Sequence, residues 1–178
     1  DRYRVLSAES SSEAGQWRTD RAPYQKEIMD AANDHRINTI VFMKSAQVGA
    51  TEILNNIVGY FIDQDPSPTL VLQPTLAMAQ AWSKDRLANM IRDSERLRTK
   101  VKDPKSRDSG NTVLSKKFPG GNINIVGSNS PAGLASRPIR ILLCDEVDRY
   151  ETSAGAEGDP INLAVKRTTT FWNRKVFI

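Results

Sequence analysis

The chain holds one cysteine and one histidine in 178 residues. A single cysteine excludes an internal disulfide and any multi-cysteine metal site. A single histidine leaves zinc chemistry and a Ser-His-Asp triad almost without support. Cys144 lies within an apolar run and reads as a small buried apolar residue. His35 follows a helix-like segment beside Asn33 and Asp34 and reads as a helix-end or surface residue. No run reaches the roughly 18 apolar residues of a membrane span, and no signal peptide is visible. The first residue is Asp1 rather than methionine, as in a trimmed fragment. Hydrophobic residues make up 39% of the chain, which suits one folded domain with a full core.

Charge of one sign is scarce overall, with a net of +4. Its distribution is uneven. Residues 84–117 carry eleven Lys or Arg against five Asp or Glu, a balance of +6, so the rest of the chain stands at −2. Apolar positions predict a long helix from Thr75 to about Arg98, with a basic far side that continues through Lys100, Lys102, Lys105 and Arg107. Such a stripe can meet a phosphate backbone without reading sequence. Interleaved acids leave a plain solvated surface equally open.

The most informative segment is Lys44, Ser45, Ala46, Gln47, Val48, Gly49, Ala50 and Thr51. It follows a short β-branched run at residues 38–43, which predicts a buried strand. It precedes Ile53, Leu54, Ile57, Val58 and Phe61 at helical spacing. Strand, loop and helix in this order put successive backbone N–H groups and a helix N-terminus around a phosphate. The usual phosphate-loop pattern is G-x-x-x-x-G-K-[ST]. Gly49 and Thr51 keep the glycine and hydroxyl positions, whereas Ala50 stands where the lysine belongs and Lys44 stands where the first glycine belongs. Lys44 can restore the missing charge from the other end of the loop. An ordinary strand-to-helix turn is the alternative.

A second segment favours the phosphate loop. Residues 139–144 form an almost wholly apolar run ending in Asp145 and Glu146. Consecutive apolar residues suit a central parallel strand covered on both faces. Acids at its C-terminal end lie on the edge where ligands bind in open α/β folds. In this Walker B arrangement Asp145 holds Mg²⁺ and Glu146 polarises the attacking water. An acidic turn after a core strand is the bland alternative, and the pairing with the loop makes it a poor one.

The remaining segments complete an alternating pattern. Residues 1–20 read as an arm or irregular segment, and residues 21–178 as one ATPase domain. A helix is expected from about Pro23 to Asn33, a second buried strand at residues 69–73, a hairpin turning at Pro119, Gly120 and Gly121, a short segment at 131–136, a helix at 161–167 and a further strand from Lys175. The fold expected is α/β, a P-loop NTPase of the RecA/ASCE-like kind, with a mainly parallel central sheet flanked by helices and a β-hairpin insertion.

These residues resemble the large subunits of lambda-type tailed-phage terminases. The resemblance is carried by Ala22, Pro23, Tyr24 and Gln25 with Ile28 and Met29, by the loop with its lysine in the first position, by Leu72, Gln73, Pro74 and Thr75, by Cys144, Asp145 and Glu146, and by residues 157–167. It implies a motor that hydrolyses ATP with Mg²⁺ to drive double-stranded DNA into a procapsid. The implied partners are DNA, a small terminase subunit and the portal protein, with a homo-oligomeric ring as the active form, no membrane, and the bacterial host cytoplasm as its place. By position, Lys44 contacts the β- and γ-phosphates, the amides of Ser45 to Thr51 form the cradle, Thr51 and Asp145 hold Mg²⁺, and Glu146 activates water. Tyr24 and Gln25 resemble an adenine-recognition segment; an ordinary helix start is the other reading.

Two departures from the family's pattern stand out. Some terminases carry an arginine inside the loop, where this chain has Ala46 and Gln47. Arg137, Arg140 or an arginine of a neighbouring subunit would have to substitute, pairing with a surface acid being the alternative for Arg137. The family's coupling motif and nuclease are expected beyond the strand at Ile178. A helicase-like P-loop motor and a non-hydrolysing nucleotide-binding module remain as other readings, the second favoured by Ala50 and opposed by Glu146.

Overall fold

A computed structural model of the chain describes residues 2–102, 110–135 and 137–178. The outer part of the basic stripe, including Lys105 and Arg107, lies outside the described residues, as does Ser136.

Six strands form the central sheet. After the small pair β1 (Val5–Leu6) and β2 (Gly15–Gln16) come β3 (Thr39–Ile40), β4 (Pro68–Gln73), β5 (Ser115–Phe118), β6 (Gly121–Gly127), β7 (Ile141–Cys144) and β8 (Lys175–Phe177). The sheet order is β3-β8-β7-β4-β6-β5. Every pairing in it is parallel except β5 with β6. The expected hairpin forms, with Gly120 at φ +83° in the left-handed position its turn requires. Its second strand, β6, is a full member of the sheet beside β4.

Alternation along the strands feeds two cores, as a sheet covered on both faces demands. Val71, Ile141, Leu143 and Phe177 face one side, where helix α2 (Ala50–Asp63) packs Ile53, Ile57, Val58, Phe61 and Ile62. Leu70, Leu72, Leu142, Cys144 and Val176 face the other, against Leu134 of α6 (Pro131–Ala135) and Ala164 of α7 (Pro160–Lys166). Burying each large aliphatic side chain contributes about 1.5–3 kcal/mol before the entropy of ordering is set against it.

The expected long helix is interrupted. It runs as α3 (Leu76–Trp82), a π turn at Ser83–Leu87 and α4 (Ala88–Asp93), then breaks at the extended Ser94 before α5 (Glu95–Lys100). Ser94 is buried, and its hydroxyl accepts a hydrogen bond from the Val5 N–H at 3.3 Å. The break is therefore tied to the N-terminal hairpin. That hairpin, in the segment expected as an arm, is docked: the Arg4 guanidinium pairs with Glu52 at 2.7 Å and donates to Asn56 at 3.1 Å, both on α2. The stripe's cations are partly matched by acids, Arg92 by Asp93 and Glu9, and Arg96 and Lys100 by Asp63.

Candidate functional site

Parallel pairing places the C-terminal ends of β3 and β7 on one edge of the sheet, with β8 between them. At about 4.8 Å per strand, the loop leaving β3 and the acids leaving β7 stand roughly 10 Å apart. They face one cavity of about 870 Å³, lined by Lys44, Thr51, Asp145, Glu146, Arg149 and Arg86 among others. That volume falls in the usual range for ligand sites.

The loop is shaped from several sides. The Phe42 N–H donates to the Ile178 carbonyl at 2.8 Å, carrying the β3–β8 pairing to the loop's first residues. Gln47 and Gly49 take left-handed backbone at φ +64° and +75°. Gly49 then starts α2, its carbonyl accepting from the N–H groups of Glu52 and Ile53. A Cβ at Gly49 would stand 2.6 Å from Nε2 of Gln25, so the close approach admits only glycine without rearrangement. Tyr24, and Gln25 at the start of α1 (Gln25–Ala31), both donate to the Val48 carbonyl, at 2.9 and 3.0 Å. Gln25 is buried while Tyr24 is exposed, and Oε1 of Gln25 has no hydrogen-bond partner. Both residues thus brace the loop, and they also line a second hollow of about 660 Å³ with Trp17 and Arg21.

Asp145 is buried and accepts a hydrogen bond from the Gln73 side-chain amide at 3.3 Å. Burial pushes its carboxyl above the usual range; the Gln73 bond opposes this, the neighbouring Glu146 adds to it, and the Lys44 charge also opposes it. Glu146 takes φ +52° and ψ +49°, an uncommon conformation for a residue with a side chain. Its Oε2 lies 3.1 Å from Nη1 of Arg149, one turn on, without the alignment of a hydrogen bond. Burial pushes the Cys144 thiol up to about 12, so it acts as an inert packing residue. Burial also raises the Tyr150 phenol, whose O–H donates to the Leu72 carbonyl at 2.7 Å.

Two candidates move away from the site. Arg140 immediately precedes β7, and parallel pairing puts that end on the opposite edge of the sheet. There its guanidinium pairs with Asp65 and donates to Ser67 Oγ at 2.7 Å and the Asn173 carbonyl at 3.3 Å. Arg140 is therefore a structural cation, and Arg137, which precedes it on the same edge, is likewise not brought to this chain's own cavity. Gln73 and Arg149 are the residues that reading the sequence missed. A polar residue closing the apolar run of β4 was the available signal for Gln73, and none was available for Arg149.

The residues fit a Mg-nucleotide. A cation and two carboxylates share the cavity with a strand-to-helix loop that ends at the N-terminus of α2. Among the described residues no group of three or more His, Cys, Asp or Glu could hold a metal ion. Mg²⁺ needs no such cage, because it is usually held by one or two protein groups together with phosphates and water.

The sheet, the loop and the acids on one edge define an α/β domain of the P-loop NTPase class. The chain belongs to the family described as phage terminase large subunit gpA, ATPase domain, whose model matches residues 11–178. It is similar to the terminase large subunit of Enterobacteria phage P21, 28% identical over 168 residues, which is 94% of this chain and 26% of that protein. It is also similar to the terminase large subunit of Escherichia phage lambda, 28% identical over 163 residues, 91% of this chain and 25% of that protein. The chain spans about a quarter of the length of these relatives. Among the described residues no helix is long and apolar enough to cross a membrane.

Proposed function

We propose that this domain, assigned here to residues 21–178 with residues 1–20 as a flanking segment, hydrolyses ATP to drive double-stranded DNA into a procapsid. The observation that carries the reading is the convergence of Lys44, Asp145 and Glu146 on one cavity beside the loop. Lys44 balances the charge of the β- and γ-phosphates, and the amides of residues 45–51 cradle them. Thr51 and Asp145 hold Mg²⁺, which neutralises charge developing on the transferred phosphoryl group. Glu146 orients the attacking water and takes its proton. Tyr24 and Gln25 hold the loop; Tyr24 offers the adenine an exposed ring, and the Gln25 amide oxygen, buried and without a partner, reads the base edge once it is uncovered. DNA, a small terminase subunit, the portal and further copies in a ring are the proposed partners, working in the host cytoplasm.

Calorimetry with Mg-ATP on the chain and on Lys44→Ala tests the binding half. Loss of binding in the variant is expected, and equal binding would remove Lys44 from the phosphates. Turnover tests the rest: Glu146→Gln should bind ATP and stop hydrolysing it in the full-length protein. Unchanged turnover would overturn the catalytic assignment.

A further inference from the structure

Unpaired charges separate along the strands. Among the described residues Arg137 and Lys166 form no ion pair, and both lie where the chain enters the sheet. Arg137 precedes β7, and the Ile139 N–H donates to the Arg167 carbonyl at 3.1 Å, which sets the end of α7 beside it. The acids on this edge, Asp34 and Asp65, are already paired with Arg36 and Arg140, so its surplus is positive. An aromatic stands on the same edge: Trp172 is 77% exposed, with the His35 ring 6.1 Å away. His35, Trp172 and Arg137 precede the neighbouring strands β3, β8 and β7, so their segments enter within roughly 10 Å. At the other end of these strands Met43 is 95% exposed after β3. Glu151 and Glu157 follow β7 in the loop that leads to α7, exposed and, among the described residues, without an ion pair. The cations of that edge, Lys44 and Arg149, belong to the nucleotide cavity. The two edges thus share one lateral order, an exposed apolar side chain toward β3 and β8 and unpaired charge toward β7 and α7, with the charge reversed.

We propose that the Trp172 edge docks on the Met43 edge of a second copy of this chain, head to tail. A copy displaced along the strand direction sets Trp172 over Met43, and Arg137 and Lys166 over Glu151 and Glu157. Indole and thioether attract one another, and Trp and Arg are the residues that most often anchor an interface. The charges steer the approach and fix its direction, because two like edges repel. A phosphate backbone matches the cations but gives the indole no apolar seat, whereas the opposite edge of the chain offers both. The two patches differ, so the contact is heterologous. It repeats from copy to copy and closes a ring, or extends a filament, according to the rotation between neighbours. The inference deepens the proposed ring of copies by naming its two faces, and it needs no nucleotide chemistry.

The test is sedimentation of the chain over a concentration series without nucleotide. The unaltered chain should self-associate, and less so at about 1 M salt, where the Debye length falls to about 3 Å. Trp172→Ser should weaken association about thirtyfold or more, and Glu151→Lys/Glu157→Lys about tenfold or more. Their melting temperatures should match the parent, since all three side chains are exposed; if Trp172→Ser unfolds, Arg137→Glu takes its place. The decisive arm is a mixture. Each variant keeps one intact face, so an equimolar mixture of the two should form a dimer that does not grow, at concentrations where neither associates alone. A mixture no more associated than its components overturns the head-to-tail contact, as does an unaltered chain that stays monomeric. A monomeric chain that binds duplex DNA, and loses it in Trp172→Ser, assigns the edge to DNA and overturns the proposal too. Association in a chain that binds no Mg-ATP sustains the interface and sinks the ATPase reading; Mg-ATP binding by a chain that stays monomeric does the reverse.

Discussion

Gly49→Ala probes the loop at its tightest point. Gly49 sits at φ +75°, where an L-residue is disfavoured by about 1–2 kcal/mol. The new methyl would also fall 2.6 Å from Nε2 of Gln25. That amide is the end of a flexible side chain, but Gln25 is buried and its Nε2 donates to Val48. Moving it sacrifices a hydrogen bond worth about 1 kcal/mol. The two contributions give roughly 2–3 kcal/mol of destabilisation. For a domain of this size each kcal/mol lowers the melting temperature by about 2–4 °C, so a drop of roughly 4–12 °C is expected.

A second substitution separates the two terms. Gln25→Ala alone should cost about 1 kcal/mol, and in Gly49→Ala/Gln25→Ala the clash is absent while the backbone strain remains. The double variant should therefore be about as stable as Gly49→Ala rather than a further ~1 kcal/mol worse. Denaturant unfolding of all four proteins reads this coupling directly. Mg-ATP affinity should fall about tenfold in Gly49→Ala, because the same strain turns the loop amides away from the phosphates. Strict additivity, or a Gly49→Ala protein as stable as the parent, would refute the account of the loop.

Three further outcomes follow from the same structure. Arg140→Met should cost roughly 2–3 kcal/mol, less than a fully buried pair because Asp65 is a third exposed; Mg-ATP affinity should not change, and a selective loss of affinity would return Arg140 to the site. The hydrogen bond from Arg140 holds the Asp65 carboxyl below its usual value, and that from Arg92 does the same for Asp93. Both groups therefore stabilise the fold fully above about pH 3.9 and lose that contribution as pH falls further. Melting temperature should drop on that acid limb, less steeply in Arg140→Met, and identical limbs would sink the pairing argument. Asp145→Asn should stabilise the nucleotide-free chain by about 1 kcal/mol, since burial disfavours the charged carboxylate, while removing the Mg²⁺ dependence of nucleotide binding. A less stable variant would show that Asp145 holds the fold rather than the ligand.

How far the site could be read from residues alone depended on the range of each contact. Helix α2 and strands β4 and β7 were legible because their signals are local, helical spacing in one and unbroken apolar runs in the others. Strand β3 is shorter than the apolar run at residues 38–43, because it is an edge strand with one partner, and Val41 and Met43 are left 70% and 95% exposed. The break at Ser94 was invisible because its partner, Val5, is 89 residues away. Arg140 misled by proximity: it is five positions from Asp145 in sequence, yet a four-residue strand carries it about 13 Å to the other edge. Arg149 lies four positions on the far side of Asp145, and a single tight turn returns it to the acids.

The charges of the cavity explain how a loop with its lysine at the wrong end can serve. Three of the cavity's acids have a cation or a donor near them. Asp145 feels Lys44 and accepts from Gln73, Glu146 meets Arg149, and Glu52 at the start of α2 is matched by Arg4, with Arg86 at 3.9 Å. Entering phosphates must therefore compete with carboxylates for these cations rather than fill an unbalanced positive hole. On the proposed ATPase reading, each cation they win leaves behind an acid to hold Mg²⁺ or water. A lysine at the strand end of the loop suits that exchange, because its charge reaches Asp145 across β8. The hydrogen bonds of Tyr24 and Gln25 to Val48 keep the loop itself fixed while the charges change partners. The site can then couple nucleotide to its acids by moving side chains alone, with the sheet edge as a rigid frame.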